Sequence, residues 1–373
     1  MGLELKNLYD DFRDADTIKA YAKIIKEDAK KLKKSINIME VCGGHTHTIM
    51  KYGIPQLLPS NIKFIHGPGC PVCIMPKERI DHAYVLSMLS DVILVTLGDM
   101  IKVPGSNGSL QDARANGADV RFVYSPMDCL KIAKENPDKK VIFFAIGFET
   151  TTPMTAALMD VVIKKDIKNI LFHINHVTVP EAMSALLANK DNKIDAFLGP
   201  SHVSVISGSK IYEEFPRDYN RPVVVSGFEP VDVMHSISMI VKQFVEDRCS
   251  LEVEYKRAVT YDGNLKAQEL NNKYFEQVEH FRWRGLGDIP KSGLKLRDEY
   301  KDFNAETIYK DILPTKEIDD HKLCICGDIL RGMANPPECS IFGTACKPSS
   351  PIGSCMVSSE GACAAYFKYG SIF

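Results

Sequence analysis

The sequence lacks long apolar runs and an excess of charge of either sign. No apolar stretch approaches the roughly 18 residues that a transmembrane helix needs, and the N-terminal residues lack the apolar core of a signal peptide. Lysine and arginine number 46 against 48 aspartates and glutamates, so the net charge is -2. A broad basic surface for nucleic acid is therefore excluded. We expect a cytoplasmic protein that contacts neither membrane nor nucleic acid.

A complete phosphate-binding motif is also missing. The sequence contains neither a Gly-x-x-x-x-Gly-Lys-Ser/Thr loop nor a full Gly-x-Gly-x-x-Gly pattern, of which Gly67-Pro68-Gly69 is only the beginning. The sequence therefore gives no support for a nucleotide site.

Short, nearly continuous apolar segments alternate with helical segments along the first 248 residues. Uninterrupted apolar strands that alternate with helices are typical of parallel sheets covered on both faces. We predict two Rossmann-like α/β domains, 1–140 and 141–248, with an N-terminal amphipathic helix within 5–34, and an irregular C-terminal domain, 249–373. The predicted strands are 36–41, 62–66, 92–96, 120–124, 141–146, 169–175, 196–198 and 222–226.

Cysteine, by contrast, is abundant, with 11 residues. A chain of this length can bury a core without disulfides, and disulfides are rare in the reducing cytoplasm. Clustered cysteines in such a protein more often bind metal or carry out redox chemistry.

Cys42 ends the first predicted strand and is followed by two glycines. Backbone N–H groups and the positive end of the helix that begins there favour the thiolate, which binds soft metals or attacks as a nucleophile. His45 and His47 add imidazoles within reach. The alternative is a buried cysteine before a Gly-Gly turn, with two surface histidines.

Cys70 and Cys73 form a Cys-x-x-Cys pair before a helix predicted over 76–89. A pair in this position has one lowered thiol pKa and can form a reversible disulfide. Half of a zinc site is the alternative, but zinc needs two further ligands and none lies nearby in sequence.

Polar loops follow the strands of the second predicted domain, at 147–152, 175–176, 199–202 and 227–229. Ligands of open α/β sheets bind outside the carboxyl ends of the strands, so we expect a site there, with Glu149 as a candidate. An exposed loop carboxylate is the commoner case. The threonines of the first loop could equally serve as helix caps.

Six cysteines lie within 324–363, a segment rich in proline and glycine: Cys324, Cys326, Cys339, Cys346, Cys355 and Cys363. So loop-rich a segment lacks the apolar surface to order itself, and the cysteine density therefore indicates bound metal. Zinc usually takes short Cys-x-x-Cys pairs, which are absent here, so an iron-sulfur cluster is favoured while zinc stays open.

Four features together, Cys42-Gly-Gly-His-Thr-His47, Gly67-Pro-Gly-Cys-Pro-Val-Cys73, Gly147-Phe-Glu-Thr-Thr151 and the C-terminal cysteines, resemble the hydrogenase maturation family HypD. The resemblance runs in order along essentially the whole chain. It implies a scaffold on which an iron with cyanide and carbon monoxide ligands is assembled for nickel-iron hydrogenases. It also implies a complex with the small chaperone HypC and the cyanide donor HypE; outside that complex we expect a monomer.

The resemblance further implies roles for individual residues. Cys42 would be the iron-binding thiolate, with His45 and His47 orienting or protonating the iron's ligands. Cys70 and Cys73 would bind iron or cycle as a dithiol. The family spacing Cys-x14-Cys-x6-Cys-x16-Cys matches Cys324, Cys339, Cys346 and Cys363, which would hold a 4Fe-4S cluster. By analogy with ferredoxin-thioredoxin reductases, a second redox pair would be formed by Cys326 and Cys355.

Two other functions stay open. A 4Fe-4S-dependent thiol-disulfide reductase would use Cys70 and Cys73, although it has no use for the Cys42 turn. An α/β protein with a structural zinc tail is the third possibility. Cys129 and Cys249 match no motif and are expected at ordinary apolar positions.

Overall fold

Two parallel sheets form the centre of the computed structural model, which describes residues 11–370. Their strands are β1 (Ile36–Glu40), β2 (Ile62–His66), β3 (Val92–Leu97), β4 (Val120–Val123), β5 (Lys140–Gly147), β6 (Ile170–His176), β7 (Ala196–Gly199), β8 (Val223–Val225) and β9 (Leu251–Val253). The first sheet has the order β2-β1-β7-β8-β9 and the second the order β4-β3-β5-β6, with parallel pairing throughout. The predicted fold class is confirmed.

Helices cover the sheets, and this explains the uninterrupted apolar sequence of the inner strands. Every residue of β6 is buried, as is every residue of β5 after Lys140. The α-helices are Ala15–Ala29, Gly43–Lys51, Ile54–Leu57, Lys77–Ser87, Leu110–Ala115, Asp128–Glu135, Thr152–Lys164, Val179–Ala188, Ser201–Ser207, Glu214–Asp218, Pro230–Val245, Leu265–Tyr274, Ala305–Ile308, Cys326–Leu330 and Ala362–Tyr369. Over residues 11–370, none of them combines the length and the apolar composition that a bilayer crossing requires.

The two sheets do not divide at residue 140. The first sheet takes its strands from 36–66 and 196–253, whereas the second takes them from 92–176. The chain thus leaves the first sheet after β2 and returns to it at β7. An apolar parallel strand has the same sequence pattern in either sheet, so the local pattern cannot reveal this return.

The N-terminal helix predicted within 5–34 is the helix Ala15–Ala29, and residues 1–10 lie outside the described part. Its cap is Asp14, whose side chain accepts a hydrogen bond of 2.7 Å from the N–H of Thr17. Buried Ile25 and Ala29 pack in one core with the helix Pro230–Val245. The helix therefore belongs to the outer layer of the first sheet.

The C-terminal region is irregular, as predicted. After β9 and the helix Leu265–Tyr274 come two short antiparallel pairs, β10 (Phe275–Gln277) with β13 (Leu294–Leu296), and β11 (His280–Trp283) with β12 (Gly287–Pro290). From there to residue 370 the helices are short. The remaining segment nevertheless shares a core with the first sheet, because Cys326 and Cys355 pack in the same apolar cluster as Met39 and Val41.

Candidate functional site

Parallel pairing of β1 with β2 brings both cysteine turns to one edge of the first sheet. Glu40, the last residue of β1, lies opposite His66, the last residue of β2. Beyond them, the N–H of Gly43 donates to the carbonyl of Gly69 at 2.9 Å. The turn that carries Cys42 is therefore in direct contact with the turn that precedes Cys70.

Gly69 is required for this contact. A Cβ atom at Gly69 would lie 2.5 Å from both the N and the Cα atom of Cys42. Only a residue without a side chain lets the two backbones approach so closely.

A buried network of hydrogen bonds holds the Cys42 turn against the ends of β1 and β2. Glu40 Oε1 accepts hydrogen bonds from Thr46 Oγ1 at 2.6 Å and from His66 Nδ1 at 2.5 Å. The other imidazole nitrogen of His66 accepts from the hydroxyl of Tyr366 at 3.2 Å. Because Tyr366 belongs to the C-terminal helix Ala362–Tyr369, the network links the turn to the cysteine-rich tail.

Cys42 lies at a cavity of about 500 Å³ at this edge. Residues from six separate chain segments line it, and they include Cys42, His47, Phe148, His202, Phe228 and Glu360. Cys70 and Cys73 are 3% and 1% exposed and lie outside this lining.

A continuous series of thiols runs from the Cys-x-x-Cys pair into the tail. The thiols of Cys70 and Cys355 lie close enough to that of Cys73 to raise its pKa. The thiol of Cys326 in turn lies close enough to Cys355 to lower the pKa of Cys355. The structure therefore brings together the two pairs of cysteines that sequence reasoning identified as redox pairs.

The other tail cysteines surround the end of this series. Cys324 and Cys363 each lie close enough to Cys326 for its thiol to raise their pKa values. Cys346 Sγ accepts from the N–H of Ile352 at 3.4 Å, and Cys339 Sγ donates to the carbonyl beside Cys324, that of Leu323, at 3.6 Å.

Gly353 leaves space among these sulfurs. A Cβ atom there would lie 2.6 Å from Cys326 Sγ and 2.7 Å from Cys324 Sγ. Soft sulfur donors around a side-chain-free position suit an iron-sulfur cluster.

Comparison with known proteins agrees with the motifs. The family model described as "HypD: Hydrogenase formation hypA family" matches residues 16–370. The chain belongs to the HypD family. It is 48% identical over 368 residues to the hydrogenase maturation factor HypD2 of Bradyrhizobium diazoefficiens. The aligned residues cover 97% of this chain and 96% of that protein. The hydrogenase maturation factor HypD of Escherichia coli is 44% identical over 364 residues, with coverage of 96% and 97%. HypD family members are hydrogenase maturation factors.

In this HypD-family structure, the Cys42 thiol has a raised pKa, whereas the sequence predicts a thiolate. Burial raises the pKa of Cys42 well above its usual value, and the nearby Glu360 carboxylate raises it further. The N–H groups of Gly44 and His45 lower the pKa, as expected at a helix start, but by less than burial raises it. The metal-free thiol is therefore protonated at neutral pH, and a metal ion must displace that proton.

The two histidines of the first HypD motif have different surroundings. His47 lines the Cys42 cavity. His45 is fully buried and donates from Nε2 to the carbonyl of Gly227 at 3.0 Å. Burial lowers the pKa of His45 to about 4, so its ring is neutral. Only His47 is therefore placed to meet a group bound at Cys42.

Glu149 of the third motif lines a different cavity, of about 510 Å³. Its neighbours Phe148 and Thr150 line the Cys42 cavity, so the loop separates the two spaces. Glu149 Oε1 accepts from the N–H of Val179 at 3.0 Å, while Oε2 is buried without a partner among the described residues. The structure therefore does not bring Glu149 together with Cys42.

Sequence reasoning did not select three residues of the Cys42 cavity. His202 and Phe228 belong to the strand-end loops 199–202 and 227–229, and their rings meet edge to face with centroids 4.6 Å apart. The position of these loops after predicted strands could have identified both residues from sequence. No sequence pattern could have identified Glu360, because it reaches the cavity from the irregular tail.

We predict that Gly69→Ala separates the two cysteine turns. Overpacking typically costs about 1–3 kcal/mol, and the unfolding free energy should fall by that amount in urea titrations. Gly370→Ala is the control, because a Cβ there meets its nearest atom at 3.9 Å, and it should stay within about 0.5 kcal/mol of wild type. Equal stabilities of the two variants would contradict the close approach.

Glu149 predicts a dependence of stability on pH. Burial raises the pKa of Glu149 from 4.5 to about 8. Between these values the folded chain keeps a proton that the unfolded chain has released, so the unfolding free energy falls as pH rises. Glu149→Gln should remove that fall and gain stability over wild type from pH 5 to 8, measured by urea midpoints. Glu279→Gln, at an exposed position, should keep the pH dependence of wild type. If Glu149→Gln also shows the pH dependence of wild type, Glu149 does not have a raised pKa in the folded chain.

Proposed function

We propose that this chain is the scaffold on which an iron with cyanide and carbon monoxide ligands is assembled for nickel-iron hydrogenases. Its family membership supports a role in hydrogenase maturation. The observation that carries the finer proposal is Cys42 at a cavity of about 500 Å³, one strand away from a thiol series that leads into the tail. The chain acts in the cytoplasm, mainly as a scaffold.

Cys42 is the ligand that this chain offers to the iron cargo. Low-spin iron with cyanide and carbon monoxide favours soft thiolates. A single thiolate leaves the other positions open for the diatomic ligands and for a cysteine of a partner. His47 and His202 supply N–H groups that can donate to a cyanide nitrogen. Phe148 and Phe228 line the same space with apolar rings and limit access of water.

A centre that is held by one residue of this chain needs partners. The small chaperone HypC would supply the second thiolate at the Cys42 cavity, and HypE would deliver cyanide to the same place. The half-buried position of Cys42 supports this arrangement, because an incoming group can reach the cavity without unfolding the chain. Alone, the chain is a monomer.

Cys324, Cys339, Cys346 and Cys363 would hold a 4Fe-4S cluster. When bound, such a cluster supplies electrons. The convergence of Cys324, Cys326 and Cys363 near Gly353 supports a cluster in this part of the tail, and the family spacing selects the four ligands. So does the short regular structure of the tail, since a segment of this kind gains its order from bound metal.

Cys326 and Cys355 exchange a disulfide with Cys70 and Cys73 in this proposal. The Cys355 thiolate attacks the Cys73 sulfur, which breaks the Cys70–Cys73 bond and releases Cys70 as a thiolate that takes up a proton. Cys326 then loses its proton, attacks the Cys355 sulfur and releases Cys73. A disulfide has moved from one pair to the other, and the cysteines beside Cys42 are reduced.

Two observations favour this exchange over direct binding of iron by Cys70 and Cys73. Cys73 contacts Cys355 and lies outside the lining of the Cys42 cavity. In addition, the neighbouring Cys326 thiol lowers the pKa of Cys355, which favours the attacking thiolate.

A 4Fe-4S-dependent thiol-disulfide reductase is the second candidate function. The thiol contacts of Cys73, Cys355 and Cys326 are what such an enzyme needs. It would leave the Cys42 cavity without a role, and for this reason the scaffold is preferred.

The first prediction of the proposal concerns Cys42→Ser. Anaerobically purified wild type with its small partner should show infrared bands of iron-bound cyanide and carbon monoxide. Cys42→Ser should lose the bands and keep the cluster absorption, because serine is a poor ligand for low-spin iron and changes little packing. Cys129→Ser, a buried thiol outside both sites, should keep both signals. Bands of wild-type intensity in Cys42→Ser would contradict the proposal.

The second prediction concerns Cys355→Ser. Without this thiol, a disulfide formed between Cys70 and Cys73 has no attacking partner, so it should persist when the cluster is reduced. Alkylation followed by peptide mass spectrometry measures the remaining disulfide. The cluster absorption should be retained, in contrast to Cys346→Ser, which should lose it. Reduction at the wild-type rate in Cys355→Ser would exclude the exchange.

A further inference from the structure

A second group of metal-binding side chains lies outside the cysteine sites. One ligand atom from each of His82, His173 and Glu306 lies within 4.8 Å of the other two. His82 belongs to the helix Lys77–Ser87, His173 to the middle of β6, and Glu306 to the first turn of the helix Ala305–Ile308. None of the three lines the Cys42 cavity.

The two imidazoles face each other through ring nitrogens. His82 Nδ1 lies 3.1 Å from His173 Nε2, and only one proton fits between these nitrogens. The opposite nitrogen of His82, Nε2, donates to the carbonyl of Pro314 at 2.8 Å. A carbonyl in this position typically fixes the ring of a metal-binding histidine.

Both rings are held in the form that binds metals. His173 is fully buried and stacks on Phe144, with ring centroids 5.0 Å apart. Burial lowers the pKa of His173 to about 3 and also lowers the pKa of His82. Neutral imidazole is the ligand form of histidine.

Glu306 supplies the carboxylate. One of its oxygens is paired with the guanidinium of Arg79, which lies one turn before His82 on the same helix. A carboxylate has about four lone-pair positions on two oxygens, so the pairing leaves a position for a metal ion. Carboxylates that bind metals are themselves usually hydrogen-bonded.

A hydrogen-bonded chain without metal is the simpler alternative. Asn175 Nδ2 lies 3.0 Å from His173 Nδ1, and the chain continues through His82 to Pro314. This arrangement leaves Asn175 Oδ1 without a partner among the described residues, although Asn175 is fully buried. Turning the amide over gives up the 3.1 Å hydrogen bond from Nδ2 to the carbonyl of His173, but it lets Oδ1 accept the Nδ1–H of His173 while Nε2 binds a metal ion.

We propose that His82, His173 and Glu306 bind a divalent first-row transition metal ion through two imidazoles and one carboxylate. This donor set suits Zn²⁺ and Fe²⁺ and leaves further positions open. Such an ion would join the helix Lys77–Ser87, β6 and the helix Ala305–Ile308.

The test measures metal stoichiometry and the cobalt spectrum of the full-length, cluster-loaded protein under anaerobic conditions. Wild type is compared with His82→Ala, with Glu306→Gln, and with His280→Ala as an exposed control. Wild type and His280→Ala should bind one Co²⁺ or Zn²⁺ more than His82→Ala. The additional Co²⁺ should show weak visible bands without thiolate charge transfer, because its ligands are nitrogen and oxygen.

Glu306→Gln keeps the volume of the side chain and a hydrogen bond to Arg79, so it guards against a folding defect in His82→Ala. Its affinity for Zn²⁺ should fall at least tenfold, as even the loss of an outer partner costs about 10–100-fold. Equal metal content in wild type and both variants would overturn the proposal. The proposal would also be overturned if the Co²⁺ that is missing from the variants shows thiolate charge-transfer bands in wild type, since that ion would be bound by cysteines.

Discussion

The close packing of the tail segment 353–363 on the edge of β1 and β2 is the constraint on which the site depends. Ser354 Oγ donates to the carbonyl of Cys73. A Cβ atom at Gly43 would lie 2.4 Å from Cβ of Glu360, and one at Gly361 would lie 3.0 Å from Cys73 Sγ. This approach places Glu360 at the Cys42 cavity and Cys355 against Cys73. Both halves of the proposed chemistry therefore require an ordered tail.

The order of that tail is linked to its cysteines. Side-chain contacts with Cys326 raise the pKa values of Cys324 and Cys363, and burial raises that of Cys346. A bound cluster needs thiolates, so its insertion would release protons and would join the short loops that carry these cysteines. On this account, cluster insertion would precede assembly at Cys42, because the ordered segment completes the cavity and the thiol series.

Much of this arrangement followed from local sequence. Apolar runs identified the parallel strands, and the parallel pairing of β1 with β2 accounts for the common edge of Cys42 and Cys70. The return of the chain to the first sheet at β7 did not follow, because it depends on packing between distant segments. Local pattern also could not decide on which side of its loop Glu149 lies, or how strongly burial opposes ionisation of Cys42. Glu306 meets His82 and His173 only through the tertiary fold.

The most direct test of the account is a disulfide between Cys73 and Cys355. The variant with Cys70→Ser and Cys326→Ser removes the competing thiols at both ends of the series and leaves Cys73 facing Cys355. Mild oxidation of the cluster-loaded protein, followed by alkylation and peptide mass spectrometry, should then give a crosslinked peptide that contains both residues. If Cys73 and Cys355 instead remain free and are alkylated separately, the two pairs do not exchange, and the proposed link between the tail and the Cys42 site is wrong.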